Sequence, residues 1–315
     1  VRVRVSIVIP TQRRPGPLET AMRSAFAQTG VDPAAIELVV ADNDVTPSAK
    51  SLVSRLAKDA PFPVRYVHEP EPGVANVRNA ALSIAKGQFI ASLDDDEEAA
   101  PGWLSALLGA QARFDADAVF GPVIARVPDS VTDHRDYLQR FYSRTGPARP
   151  CVVEEAFGCG NSLMRRAAMG GDAKGPFKPR SNFIGGEDDV LFTAMRAAGK
   201  RFAWAADAVV YEHPAPERLT LAYAIPRAFA YGQGAPSRCA SATPANPAGV
   251  VGWMAVGLAQ GVLHAPVAGL KWLARSPDRA AALDRLVRGL GKTFWWKPFK
   301  IRFYGLAEGQ SASRL

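Results

Sequence analysis

An α/β fold, with a mostly parallel central sheet covered by helices on both faces, is what this 315-residue sequence predicts. Three observations carry that prediction. Strand-like runs alternate with helix-spaced apolar stretches through the first 120 residues, the pattern of βαβ units. The strands end in polar residues, where open parallel sheets bind their ligands. A hydrophobic content of 48% is enough to fill a large core.

The elements follow in order. Val5–Ile9 reads as a strand, and Pro17 to Gln28 as a helix with Leu18, Met22 and Phe26 on one face. Ile36–Val40 is a second strand, after which Thr46 and Pro47 supply an N-cap and a first-turn proline for a helix through Lys58. Val64–Val67 is a third strand, and Val74 to Ala85 a helix stopped at Gly87. The fourth strand, Gln88–Leu93, runs into an acidic cluster; a helix from Pro101 and a strand at Ala118–Phe120 complete the pattern. From about 121 to 215 the alternation lapses, and glycines gather at Gly158, Gly160, Gly170, Gly171, Gly185 and Gly186, as in loops that close over a second substrate. Within this stretch Leu191, Met195 and Ala198 mark a helix face ended by Gly199, and Ala208–Tyr211 is strand-like. Beyond 215 the composition turns to Ala, Gly, Trp and basic residues, so the chain is expected to divide there, with 1–120 and 121–215 as two halves of the first part.

Charge is unevenly placed. Residues 271–315 hold ten Lys/Arg and three Asp/Glu, which accounts for +7 of the net +8. A basic tail on a nearly neutral body points to an anionic partner for the tail. The three cysteines, Cys151, Cys159 and Cys239, form no CxxC pair and are odd in number, which fits a reducing compartment. The sequence opens directly on a strand pattern rather than a basic-then-apolar leader, so export is not expected. The first strand is followed by Thr11-Gln12-Arg13-Arg14 rather than GxGxxG, which disfavours a nicotinamide or flavin enzyme. There is no Ser-His-Asp or Cys-His arrangement with motif context, and His68, His134 and His264 have none either.

The most informative feature is Asp94-Asp95-Asp96-Glu97-Glu98, directly after an apolar run. Five carboxylates at a strand end repel one another unless something positive sits among them. Hard oxygen donors suit Mg²⁺ or Mn²⁺; the alternative is a solvated acidic turn. The strand ends also deliver Thr11 and Asp42-Asn43 to the same expected crevice.

Several ordered motifs carry a resemblance. Ile7-Val8-Ile9-Pro10-Thr11, Val39-Val40-Ala41-Asp42-Asn43, Gly73 to Ala80 with Arg78, and Leu93 to Glu97 are followed by Gly160-Asn161-Ser162-Leu163-Met164-Arg165-Arg166, Gly185 to Asp189, and Val209 to His213. Over roughly residues 3–215 the chain resembles family 2 glycosyltransferases, and within them bacterial exopolysaccharide transferases of the succinoglycan type. The resemblance implies a GT-A fold, a nucleotide-diphosphate sugar donor, inversion at the anomeric carbon, and a catalytic domain over 1–215 followed by a helical region over 216–315.

It also implies roles. Asp96 would hold Mn²⁺ or Mg²⁺, and His213 would complete the metal site, against the plainer reading of a structural histidine. Asp94, Asp95, Thr11, Asp42, Asn43 and Arg78 would line the nucleotide-sugar pocket. An acidic residue is common at the position of Asn43, so its asparagine leaves the base less defined. Asp188 would be the general base, with Glu187 orienting the acceptor or its loop; the same acids also suit a helix N-terminus. Gly160 and Asn161 would shape the acceptor side, and Cys159 would pack rather than react.

The tail adds a location. Ala248 to Leu270 has no charged residue and is long enough to cross a membrane, although rich in Ala and Gly. Lys271-Trp272, Arg275, Arg285, Arg288 and Phe294-Trp295-Trp296-Lys297-Pro298-Phe299-Lys300 mix aromatic and basic side chains as segments at lipid headgroups do. The expectation is an anionic membrane surface bound through residues 271–302, at the cytoplasmic face, with a lipid-linked saccharide as acceptor. Alternatives are a helical subdomain packed on the core or on a second subunit, and an inactive GT-A-like membrane scaffold. Nucleic acid is not expected as a partner, because the body offers no basic track.

Overall fold

The computed structural model describes residues 3–179, 186–242 and 244–301. Gly185 and Arg302, on which two of the expectations above touch, lie outside the described residues. The chain divides into two compact units, Val1–Arg126 with Tyr142–His213, and Val127–Phe141 with Pro214–Leu315.

The first unit is built on an eight-stranded sheet. Its strands are β1 (Val5–Thr11), β2 (Ile36–Asp42), β3 (Val64–His68), β4 (Phe89–Ser92), β6 (Ala118–Phe120), β8 (Cys151–Val153), β9 (Ser162–Arg165) and β10 (Phe202–Trp204). They run in the order β3-β2-β1-β4-β9-β6-β10-β8. The four strands β3, β2, β1 and β4 pair in parallel, as the alternation predicts. β9 is inserted antiparallel between β4 and β6, and β8 closes the far edge antiparallel to β10.

Strand alternation sends side chains to two cores. Val5, Ile7 and Ile9 of β1 join Leu18 and Met22 of α1 (Pro15–Phe26) and Trp103, Leu104 and Leu107 of α4 (Trp103–Phe114) on one face. Val8 points the other way, toward Ala81 and Leu82 of α3 (Val74–Ile84) and Leu191, Phe192 and Met195 of α6 (Glu187–Ala197). Phe120 meets Phe192 and Phe202 edge-on at 4.9 and 5.7 Å between ring centres, a favourable aromatic geometry.

One predicted helix begins later than expected. α2 spans only Lys50–Leu56, and Thr46 and Pro47 belong to the preceding turn. The cause is Asp42, whose Oδ2 accepts the Ala49 N–H at 2.7 Å and whose Oδ1 accepts from the Asp44 N–H at 3.3 Å. The buried carboxylate gathers the loop around itself, and the helix starts where that loop ends.

A second, three-stranded sheet sets the site. β11 (Val210–Glu212) lies between β5 (Glu97–Ala99), antiparallel, and β7 (Val123–Ala125), parallel. The pairing of Glu212 with Glu97 brings the end of β11 onto the acidic cluster.

The second unit is helical, with α5 (Arg135–Tyr142) beside α7 (Leu221–Ser241), α8 (Pro247–Leu273) and α9 (Arg279–Thr293). Tyr137 donates to Asp284 Oδ1 at 3.1 Å, and the Arg288 guanidinium lies over the Phe141 and Tyr231 rings. Phe294, Trp296 and Phe299 form an aromatic cluster tied back by Gln233, whose amide donates to the carbonyl oxygens of Phe294 and Phe299.

Candidate active site

Register explains why distant motifs meet. Thr11 pairs with Asp42 and Asp42 with His68, so β1, β2 and β3 end level. β4 runs parallel to them and its Ser92 faces Ser162 at the start of antiparallel β9. Gly160 and Asn161 therefore arrive at the same edge as Asp94.

The acidic cluster is not left to repel itself. Thr11 donates its hydroxyl to Asp95 Oδ2 at 2.8 Å. Arg14 places Nη1 at 3.0 Å from Asp95 Oδ1 and 2.9 Å from Asp96 Oδ2, bridging the two carboxylates. Burial pushes the Asp95 carboxyl up to about 6, with Arg14 pulling it back. Glu97 is buried, accepts the Asp94 N–H at 3.0 Å, and is held well above the usual carboxylate range by burial and by the charge of Asp94. The only sequence signal for Arg14 is a pair of arginines just past a strand whose end meets the crevice.

Asp96 and His213 come together. The His213 N–H donates to the Asp96 carbonyl oxygen at 2.9 Å, and both residues line one cavity of about 250 Å³ with Pro17, Thr20 and Glu97. The His213 ring also lies 2.9 Å from Glu98 Oε2. Among the described residues no three His, Cys, Asp or Glu side chains are gathered as a ready metal cage. A carboxylate and an imidazole lining one cavity nevertheless suit a hard-to-borderline divalent ion such as Mn²⁺. A larger opening of about 690 Å³, lined by Glu69, Glu71, Asn76, Asn79 and Lys174 among others, holds neither Asp96 nor Asp188.

A second charged group forms around Arg78. This side chain is 10% exposed and lies 3.5 Å from Asp94 Oδ1, with Nε 3.3 Å from Glu187 Oε1. The Nε–Glu187 approach is within ion-pair range but out of line for a hydrogen bond, leaving that buried nitrogen without one. Burial drives the Glu187 carboxyl up to about 7, Arg78 lowers it, and Asp188 raises it again. Glu187, Asp188 and Asp189 occupy the first turn of α6, where the helix dipole favours negative charge.

Asp188 is held separately. Its Oδ2 accepts the Cys159 N–H at 3.2 Å and its Oδ1 the Asp189 N–H at 2.9 Å. The Cys159 thiol is buried and its ionisation suppressed, as expected of a packing residue. The loop is glycine-rich for a steric reason. A Cβ on Gly160 would stand 2.7 Å from Asp94 Oδ2 and 2.9 Å from Glu97 Oε1. Gly158 has φ +90°, and a Cβ there would meet Arg144 Nη1 at 2.8 Å. Arg144 also donates to the Gly160 carbonyl oxygen. Arg144 lies in an irregular segment with no motif around it, so the sequence carries no signal for its place here.

Three of the expected site residues are tied to neighbouring loops within the protein. Asn43 is buried; its Nδ2 donates to the Glu69 and Glu71 carbonyls at 2.9 and 2.7 Å, and its Oδ1 accepts the Gly73 N–H at 2.8 Å. Asp42 is fully buried and also accepts from Tyr66 at 2.8 Å. Asn161 is fully buried with φ 52°; it accepts from Trp103 Nε1 at 2.7 Å and donates to the Pro122 and Ala208 carbonyls at 2.8 and 2.7 Å. These bonds hold the loops at the strand ends in place, with Asn43 and Asp42 bracing the segments after β1–β3 and Asn161 the start of β9.

A parallel half-sheet with carboxylates at its tip, a small second sheet bringing a histidine to them, and an acidic helix start facing a glycine loop together define a GT-A-type transferase fold. In agreement, the chain is similar in fold to a mannosyltransferase from Pyrobaculum calidifontis solved with GDP-Man and Mn²⁺, with a TM-score of 0.59 and 21% identity over 94% of this chain and 88% of that one. The model described as glycosyl transferase family 2 matches residues 6–170, and the chain belongs to that family. It is 37% identical over 231 residues to the succinoglycan biosynthesis protein ExoM of Rhizobium meliloti, covering 73% of each chain. It is 32% identical over 106 residues to a GalNAc(5)-diNAcBac-PP-undecaprenol beta-1,3-glucosyltransferase of Campylobacter jejuni, 33% of each chain.

Proposed function

We propose that this chain is an inverting hexosyltransferase that moves a sugar from a nucleotide diphosphate, UDP-linked in our reading, to a hydroxyl of a lipid-linked oligosaccharide. The setting is assembly of a bacterial exopolysaccharide or surface polysaccharide at the cytoplasmic face of the membrane, with residues 271–302 meeting anionic lipid. The observation that carries the reading is the separate placement of two carboxylates. Asp96 opens with His213 on one cavity, while Asp188 is held apart at the start of α6 beside the glycine loop. The likeness to ExoM supports the polysaccharide setting, and the undecaprenol-linked substrate named for the Campylobacter enzyme supports a lipid-linked acceptor.

Asp96 and His213 are the residues that would hold Mn²⁺ or Mg²⁺. When bound, such an ion neutralises the charge that develops on a departing diphosphate. The protein supplies the rest. Asp188 takes the proton of the acceptor hydroxyl as its oxygen attacks the anomeric carbon, a contribution of about 10²–10⁴ in rate. Its two backbone N–H contacts aim the carboxylate without neutralising it. Glu187, held partly protonated near neutral pH, can donate a hydrogen bond and so orients the acceptor or its loop. Thr11, Asp94, Asp95 and Arg78 form the donor side, with Asp42 and Asn43 fixing the loops that frame the nucleotide. Gly160 lets the acceptor loop approach Asp94 closely.

A screen of nucleotide sugars against lipid-linked saccharides from polysaccharide-producing bacteria tests the proposal. Metal-dependent transfer with inversion from one donor is expected. Binding without turnover for every donor would favour the inactive scaffold.

A further inference from the structure

We infer that α8 lies in the plane of the membrane, its outer face sunk into one leaflet, and does not cross. This inference rests on the membrane reading proposed above. By length and composition alone α8 qualifies as a span, being 27 residues long with only 11% of its most apolar window buried. Its outer face is uncharged, with Val251, Leu258, Val262, Leu263, Leu270 and Leu273 each at least 60% exposed. So large an apolar face on a helix calls for a covering.

What decides between crossing and lying flat is the other face. Gly257, Gly261 and Ala268 are buried there, and α9 is packed against the two glycines. A Cβ on Gly257 would stand 2.6 Å from the Gly289 carbonyl oxygen, and one on Gly289 would stand 2.9 Å from Gln260 Cβ, so the backbones are in close approach. Lys292 Nζ donates to Gln260 Oε1 at 2.9 Å, halfway along α8. α9 carries Arg279, Asp284, Arg285, Arg288 and Lys292. A crossing α8 would therefore drag several charges of its packing partner into hydrocarbon, which membranes resist strongly. An α8 lying flat keeps α9 on the aqueous side and buries only the apolar face.

The occupant is an anionic bilayer rather than a second copy, for two reasons. Trp253 and Trp272, near opposite ends of α8, are both partly exposed, as suits side chains at the headgroup level. Lys271, Arg275 and Arg279 lie at the same end as Trp272, where they meet lipid phosphate.

The experiment uses the full chain with vesicles of phosphatidylcholine and phosphatidylglycerol carrying bromine either near the headgroup or near the chain terminus. Leu263→Trp places a reporter at mid-helix, read as quenching beyond that of the unsubstituted protein. Stronger quenching by the shallow bromines, about twofold, is expected. Stronger quenching by the deep ones means a crossing helix and overturns the inference. Vesicle binding with no added quenching means the face is covered otherwise, by a second copy or another unit, and also overturns it. Val262→Lys supplies an independent check: vesicle affinity falls about tenfold with mass in solution and UDP binding unchanged; unchanged affinity would again refute the inference. Complete absence of vesicle binding with sugar transfer retained would remove the membrane reading while leaving the transferase reading in place.

Discussion

The backbone N–H of His213 donates to the backbone carbonyl of Asp96 at 2.9 Å. That bond continues the pairing of β11 with β5 by one residue, so residues 117 positions apart in sequence line one cavity. The placement is made by the pairing of Glu212 with Glu97, so the small sheet exists where the site needs it. His213→Ala is expected to weaken Mn²⁺ binding at least about tenfold while leaving the fold intact. Titration of Mn²⁺ by its paramagnetic resonance signal checks this; unaltered affinity would return His213 to a structural role through Glu98.

Arg14 is the counter-charge of Asp95 and Asp96 in this structure. Arg14→Met leaves two close carboxylates facing each other. Because Arg14 is about one-third exposed, the cost is expected to be modest, about 1–2 kcal/mol in stability. Added Mn²⁺ should recover part of it by supplying the missing positive charge. Thermal unfolding with and without Mn²⁺ measures both effects.

Gly160→Ala tests the steric account of the glycine loop. The new methyl meets Asp94 Oδ2 at 2.7 Å and Glu97 Oε1 at 2.9 Å. Overpacking of this kind costs about 1–3 kcal/mol, and displacement of Asp94 should lower donor affinity as well. A variant with wild-type stability and donor binding would show that the loop has room to spare.

Glu187 gives a pH signature. Burial raises its carboxyl to about 7 in the folded chain, against an ordinary value near 4.5. The folded state then binds the proton more tightly than the unfolded one, so stability falls as pH rises from about 4.5 to about 7 and levels off above. The size is on the order of 3 kcal/mol. Glu187→Gln should flatten that part of the profile, as measured by denaturant unfolding across pH.

Much of this was legible in the sequence, and the exceptions have physical causes. The parallel half-sheet was readable because each strand is an apolar run closed by a polar tip, and Asp94–Glu98 stood out because clustered carboxylates demand a partner. The partner itself was hidden: Arg14 reaches the cluster only through the register of β1 beside β4. The insertion of β9 was equally hidden, since four residues, Ser162–Arg165, carry too little periodicity to announce an antiparallel strand. The ties made by Asn43 and Asn161 were hidden for another reason. A polar residue within a motif reads the same in sequence whether it touches a ligand or braces a loop, and both amide protons of each asparagine go to loop carbonyls. Only the hydrogen-bond partners distinguish the two.

Asp188→Asn probes the other half of the chemistry. On the role proposed for Asp188, this change should reduce transfer by about 10²–10⁴ while UDP binding is kept. Retained turnover would move the base elsewhere.

The central claim is that Asp96 anchors a divalent ion against the donor diphosphate. Calorimetry of UDP binding to the wild type and to Asp96→Asn, each with and without Mn²⁺, tests it most directly. The account predicts that Mn²⁺ strengthens UDP binding in the wild type and has no effect in Asp96→Asn. Equal enhancement by Mn²⁺ in both proteins would contradict it.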